Sequence, residues 1–297
     1  MKFTLTDFFD SQHIVNKGFF DVTLYPGSNI TGSLCYCRTK DGVDKIINNK
    51  NITCVITTKE LAQMFDKKKD IGVALSSIPE LDYYRIHNIL FDKGITSPHQ
   101  RHYISEKAQI HHSVFIGNNV VIEDDVIIEP LACIGNNTII QKGTYIGHGV
   151  IIGNKGMQNL KVNGKRFDIK FAGGVKIGSD CEVLAYAMIQ RPYQAFYTEI
   201  GDDTQLSAKV SVGHGSKIGN KVMIAGNTTI AGNVQVGNEV WIGPSVTISD
   251  GIFVGESAKL LIGSVIVSNV PERKTVSGNF ALEHHKTLKN IARIKKI

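Results

Sequence analysis

The chain has 297 residues, of which 42% are apolar, 20% charged and 8% aromatic, a composition that excludes bulk disorder and leaves room for one large or two modest domains. Its net charge of +6 is modest; Lys286, Lys289, Arg293, Lys295 and Lys296 crowd the end with no interleaved aromatics, so nucleic acid is not expected as a partner. Such a tail suits a solvated helix face, or a contact for phosphates or an acidic carrier protein.

No apolar run approaches the ~20 residues needed to cross a bilayer. Residues 1–10 lack a basic stretch followed by an apolar core, so a cytoplasmic location is expected. The five cysteines (Cys35, Cys37, Cys54, Cys133, Cys181) are odd in number and form no C-x-x-C pair; we read them as reduced, mostly buried thiols.

Residues 1–100 read as a small α/β domain. Strands are expected at 32–37 (GSLCYC), 51–56 (NITCVI) and 70–75 (DIGVAL), with helices at about 43–49, 58–66 and 80–93. Residues 94–101 lead out of it.

Residues 101–270 then follow a strict period of six. Ile104, Ile110, Ile116, Ile122, Ile128, Ile134, Ile140, Ile146 and Ile152 begin it, Ile177, Val183 and Ile189 resume it, and twelve more positions from Ile200 to Ile266 complete it. Two residues before most of these stands a small or β-branched residue, such as Val120, Val126, Thr198, Thr204, Val210 or Thr228. Inward residues two apart followed by a Gly or Asn corner make a short strand and a turn, and six residues are too few for a strand plus a helix. The pattern predicts a parallel β-helix. Twenty-four such positions, three to a coil, give about eight coils, a prism roughly 35 to 40 Å long at the strand spacing of sheets.

Two breaks interrupt the period, at 154–172 and 190–199. Breaks in a solenoid are where function tends to be added. The first is expected to be an arm toward a neighbour or a ligand; in the second, Arg191, Tyr193 and Tyr197 are side chains that grip a phosphate or a ring. Residues 271–297 form an extension in which Leu282, Leu288, Ile291 and Ile294 recur at helical spacing.

Among ten histidines, His214 is embedded in an otherwise regular coil, and Gly232 stands 18 residues later, one full coil on. A base beside a backbone N–H is the pair an acyl transfer requires, one to take the nucleophile's proton and one to hold the oxyanion. A metal centre is not expected, because the coils offer no H-x-x-x-x-H pair.

The order of these parts, with FAGGVKIG, VSVGHGSKIGNKVMIAGNTTIAG and VSGNFALEHHK at their places, resembles the family of the UDP-3-O-acylglucosamine N-acyltransferase of lipid A synthesis. It is similar also to the wider group of left-handed β-helix enzymes that N-acylate nucleotide-linked amino sugars, including those making anthrose-type sugars. The resemblance implies a left-handed prism, a homotrimer with sites between subunits, and His214 as general base with the Gly232 amide as oxyanion donor. It puts Tyr36 where an aromatic stacks on uracil, and His284 on the histidine beside the terminal helix.

On these grounds Tyr36, Arg191, Tyr193 and Asn220 are expected at the acceptor, and Gly226, Gly243, Ser249, Lys259 and His284 along the acyl donor, a coenzyme A or acyl carrier protein thioester. Departures from the family pattern point to a different substrate: Ser207 stands where the family has an Asp seven residues before its histidine, IDRG reads IQRP at 189–192, and Thr39 and Gly251 replace an asparagine and a second histidine. The expected activity is transfer of a short, including 3-hydroxyacyl, group to a dTDP- or UDP-linked amino sugar for surface glycan synthesis. The lipid A step and a non-catalytic binding solenoid are the alternatives.

Overall fold

The computed structural model describes residues 2–27, 30–66, 68, 70–95, 101–157, 160–162, 164–278 and 283–294. Residues 101–278 wind into a left-handed parallel β-helix whose three flat faces carry eight, eight and nine strands. We call first the face containing Ser211–Val212, second the one containing Lys217–Ile218, and third the one containing Met223–Ile224. In the regular coils each strand pairs with one 18 residues on, as in Ser211↔Thr229↔Thr247; across the breaks the spacing widens, as in Ile140↔Ile177 and Ile177↔Ile200.

From Ile122 on, the isoleucine period is the inner wall, while at the open end of the prism Ile104 is exposed and Ile110 and Ile116 are half-buried. Ile122, Ile140, Ile152, Ile189, Val212, Ile242 and Ile248 have no exposed surface, and Val120, Val210, Val234 and Val246 two residues earlier are equally buried. Full burial of one such side chain contributes about 1.5–3 kcal/mol, and the gain repeats coil after coil. Hydroxyls admitted to this core are satisfied locally: Thr204 donates to Gly219 O at 2.9 Å, Ser216 to Ala231 O at 2.9 Å and Thr228 to Gly243 O at 3.0 Å. At the corners one residue per hexad takes the left-handed conformation, as at Asn227 (φ 57°) and Asn233 (φ 58°), which tolerate it best after glycine. The prism runs past Val270 and Pro271, where the sequence suggested its end, to Thr275–Val276 paired with Lys259–Leu260.

Before the coil stands a five-stranded sheet in the order Ile14–Asn16, Gly72–Leu75, Ile52–Thr57, Ser33–Cys37, Val22–Thr23, parallel except for its first strand. Helix α1 (Lys40–Ile47) begins three residues earlier than the apolar spacing suggested, because Thr39 Oγ1 accepts from Gly42 N and caps it. Helix α2 (Lys59–Ala62) continues as a 3₁₀ turn, Gln63–Phe65; α3 (Pro79–Asp92) buries Tyr83, Tyr84, Ile86, His87 and Leu90. Cys35, Cys37, Cys54 and Cys181 are buried free thiols and Cys133 is half-buried; burial pushes the Cys54 thiol up to about 12 and that of Cys181 up to about 11.

Both breaks are turned toward this domain. The first expels a hairpin, Leu160–Val162 against Lys165–Phe167, and then drives Ile169 and Phe171 into the aromatic core beneath α3. Asn88 clamps it, donating to Asp168 O at 2.8 Å and accepting from Lys170 N at 2.9 Å. It straps the coil to its own α/β domain. The second break is shorter than expected: Met188–Arg191 and Tyr197–Ile200 stay in the sheets, and the chain leaves only over 192–196.

Helix α4 (His284–Ile294) closes the chain. Leu282 and the side chains of Leu288, Ile291 and Ile294 lie outside the described residues, as does most of the 94–101 connection. Among the described residues no helix is long and apolar enough to cross a membrane.

Candidate functional site

His214 occupies the corner between the first and second faces, between Ser211–Val212 and Lys217–Ile218. The turn that carries it is fixed from below: Gly215, at φ 71°, donates its N–H to the buried Thr198 Oγ1 at 2.8 Å, and Thr198 in turn donates to Gln190 O at 2.6 Å. Gly232 and Asp250 follow at the same corner, one and two coils on.

The three form a column. A β-carbon built on Gly232 would lie 2.7 Å from His214 Cε1, 2.8 Å from His214 Nε2 and 2.8 Å from Asp250 Oδ1, so only glycine lets the imidazole and the carboxylate close over this position. Asp250 also accepts from Asn233 Nδ2 at 3.4 Å. On the other side of the ring, a β-carbon on Gly156 would meet His214 Cδ2 at 2.8 Å and Gln190 Oε1 at 2.9 Å. His214 is therefore held between two glycines. Burial pushes its pKa below the ordinary 6.5 and the Asp250 carboxylate pulls it back up, leaving an imidazole able to accept a proton at neutral pH. The Gly232 N–H has no partner among the described residues, whereas its carbonyl accepts from Gly251 N at 2.9 Å.

His214 opens on a cleft of about 290 Å³ between the second face and the α/β domain, with Tyr25, Tyr36, Phe196, Lys217 and Gln235 on its walls. A second cleft of about 580 Å³ adjoins it across Tyr25, Tyr36, Tyr193 and Gln194, and reaches Arg38 and Thr39 at the start of α1 and Lys45 in its last turn. Together they run from the coil corner to the ends of the parallel strands Ser33–Cys37 and Val22–Thr23, where open α/β sheets hold ligands.

Tyr36 lines both clefts; its ring lies 5.1 Å from Tyr83 and its hydroxyl donates to Glu80 Oε1 at 3.3 Å. Arg38 also pairs with Glu80. Tyr193 is nearly buried, edge-on to Tyr84 at 5.6 Å and near His87 at 6.0 Å, so it packs the domain junction while showing part of its ring to the cleft. The neighbouring Gln194 donates to Tyr83 Oη. Arg191 ends its strand just before this loop, its Nε buried without a partner among the described residues and its guanidinium pKa lowered by that burial.

The other expected site residues are spread around the prism. Ser249 shares the His214 corner, immediately before Asp250. Asn220 is at the next corner, in a ladder in which its Oδ1 accepts from Asp202 N at 2.8 Å and its N–H donates to Asn238 Oδ1 at 2.9 Å. Gly226 and Gly243 lie on the corner between the third and first faces, Lys259 on the third face and His284, exposed, in α4. Ser207 is on that third-to-first corner too, the width of a face from His214, so an acid there could not touch this chain's own imidazole. Asp250 was not foreseen; stepping 18 residues once more past Gly232 finds it. His87 is a satisfied core residue, bonded to Thr23 Oγ1 at 2.7 Å and Lys170 O at 2.9 Å. Among the described residues no three His, Cys, Asp or Glu side chains gather as a metal site.

Residues 197–232 match the family model described as bacterial transferase hexapeptide (six repeats). The stretch bearing both His214 and Gly232 is thus a transferase hexapeptide repeat. Among solved structures, the chain is similar to the UDP-N-acetylglucosamine acyltransferase from Campylobacter jejuni, at 25% identity over 60% of this chain and 72% of that one, with a TM-score of 0.46. The Francisella novicida UDP-N-acetylglucosamine acyltransferase matches at 20% identity over 63% and 73%, with a TM-score of 0.49. WeeI from Acinetobacter baumannii matches over more of the length, 86% and 88%, at 16% identity and a TM-score of 0.30. A search of curated proteins finds no match.

Proposed function

We propose that the chain is an acyltransferase that moves a short acyl group, including 3-hydroxyacyl, from a coenzyme A thioester to the amino group of a dTDP- or UDP-linked amino-deoxy sugar, for surface glycan synthesis. One observation carries this reading: a half-buried imidazole stands at the end of a cleft that continues into the α/β domain, beside Gly232, whose N–H has no partner among the described residues. The nucleotide is assigned to the larger cleft, where Tyr36 offers a ring face and Arg38 and Lys45 offer charge to a diphosphate. The sugar then reaches His214.

In the reaction, the acceptor amine attacks the thioester carbonyl while His214 takes its proton. The Gly232 N–H donates to the carbonyl oxygen as negative charge develops there. The C–S bond breaks, the thiolate leaves with the donor, and His214 returns the proton to it. The thioester is a substrate, assigned to the grooves beside Ser249, Gly226, Gly243, Lys259 and His284. Since Gly226, Gly243 and Lys259 lie away from His214 on one chain, the assignment goes with a homotrimer in which a neighbouring copy brings them to the site.

The test is a mass-spectrometric screen of dTDP- and UDP-linked amino sugars against acetyl, 3-hydroxybutyryl and long-chain 3-hydroxyacyl thioesters of coenzyme A and acyl carrier protein. The expected product is a short-chain amide with release of one coenzyme A thiol. Preference for a long acyl carrier thioester and a UDP-glucosamine derivative would overturn the substrate assignment in favour of the lipid A step, and no transfer with any pair would overturn the enzyme reading.

A further inference from the structure

Asp250 is an exposed residue at a corner of the prism, and its sequence context, ISDG, gives no reason to single it out. Its position does. Asp250 Oδ1 and His214 Nε2 each approach within 2.8 Å of the same point above Gly232, from opposite sides. The two atoms are therefore within roughly 6 Å of each other, the range over which an opposite charge stabilises a protonated imidazole.

We propose that Asp250 is the charge partner of His214, a positioning residue that supports the imidazolium formed when His214 takes a proton from the acceptor. It fills, from two coils away, a role that Ser207 at the opposite corner cannot fill. The proposal rests on the assignment of His214 as base.

The surroundings leave Asp250 little competition. The neighbours that press on the ring, Gly156, Gln190 and Gly232, are uncharged, as are Asn233 and Phe196 beside them. Lys217 shares the cleft, but its ammonium is tied to Glu199 at 3.1 Å. Of the nearby cations, Lys155 precedes Gly156 and Arg191 follows Gln190 in the chain. The Asp250 carboxylate raises the imidazole pKa against the lowering by burial. Asn233 Nδ2 steadies that carboxylate from its own corner.

The same carboxylate lies near the place where the oxyanion forms, and would oppose that charge. Which effect prevails is open to direct measurement. In ligand-free protein with ¹³C-labelled histidine imidazoles, His214 is assigned by the signal lost in His214→Gln and titrated by NMR in the wild type, Asp250→Asn and Asp250→Glu. The titration midpoint should fall by about half a unit or more in Asp250→Asn and stay near wild type in Asp250→Glu. Because Asp250 is exposed, both variants should fold, as circular dichroism will verify.

In acyl-transfer assays Asp250→Asn should lower kcat about tenfold and move the acidic limb of the pH profile downward, with Asp250→Glu restoring both. An unchanged or raised midpoint overturns the pairing, and so does an Asp250→Asn enzyme faster than wild type, which would mean that the carboxylate opposes the oxyanion more than it supports the imidazole. A shifted titration in protein that acylates nothing would instead overturn the acyltransferase reading and leave the pairing intact.

Discussion

His214 and Asp250, 36 residues apart in sequence, close over the same glycine from opposite sides, and Gly232 separates them only because it has no side chain. The backbone at 232 is not in the left-handed region, so alanine meets no conformational penalty there. Its β-carbon would instead strike the imidazole and the carboxylate at 2.7–2.8 Å. Gly232→Ala should therefore fold, with Tm lowered by no more than about 2–4 °C, and lose about 10²-fold in kcat as His214 is displaced. Differential scanning calorimetry beside steady-state kinetics separates the two effects.

Thr198 holds the turn behind the base. Its hydroxyl is the sole partner of the Gly215 N–H among the described residues and is itself fully buried. Thr198→Val keeps the volume and leaves that N–H unpaired, a loss of about 1–3 kcal/mol measurable by chemical denaturation. Because Gly215 follows His214 directly, kcat should fall more than stability alone explains; Thr198→Ser should recover most of both.

The period of six was legible because every hexad is built the same way, from two inward side chains and a corner. Coil after coil of buried Ile and Val confirms it, and the α/β pattern of the first hundred residues gave strands Ser33–Cys37, Ile52–Thr57 and Gly72–Leu75 nearly to the residue. Asp250 was not legible in the same way. An acidic corner residue is ordinary, and only its alignment with His214 and Gly232 gives it meaning. Where the expelled segment lands was equally hidden, since Ile169 and Phe171 find their place through tertiary packing beneath α3. Tyr193, read as a ligand-gripping side chain, is largely engaged by Tyr84, His87 and Phe171.

The buried His87 and the half-buried His214 set a pH dependence of stability. Burial lowers the pKa of His87 below the ordinary 6.5, and His214 shifts in the same direction. The unfolded chain thus binds more protons than the folded one as pH falls through 6.5. The stability these groups lend is whole above that value and is lost as pH drops below it. Tm should be flat from neutral pH upward and fall on the acid side, and His87→Gln should flatten the acid side in part.

For catalysis the sign is the same, since only the neutral imidazole of His214 can take a proton. Its lowered pKa should move the acidic fall of the rate to lower pH than an ordinary imidazole would give. A pH profile of kcat/KM in the wild type, compared with Asp250→Asn, reads this limb directly.

The most direct test of His214 as the base of an acyl transfer is the rate of amide formation by wild type and His214→Asn on the best donor and acceptor pair, followed by mass spectrometry of the acylated sugar. A loss in kcat/KM of about 10²-fold or more is predicted, with folding and Tm unchanged. An enzyme that keeps its activity to within about fivefold without His214 would contradict the assignment and leave orientation and the Gly232 amide as the source of catalysis.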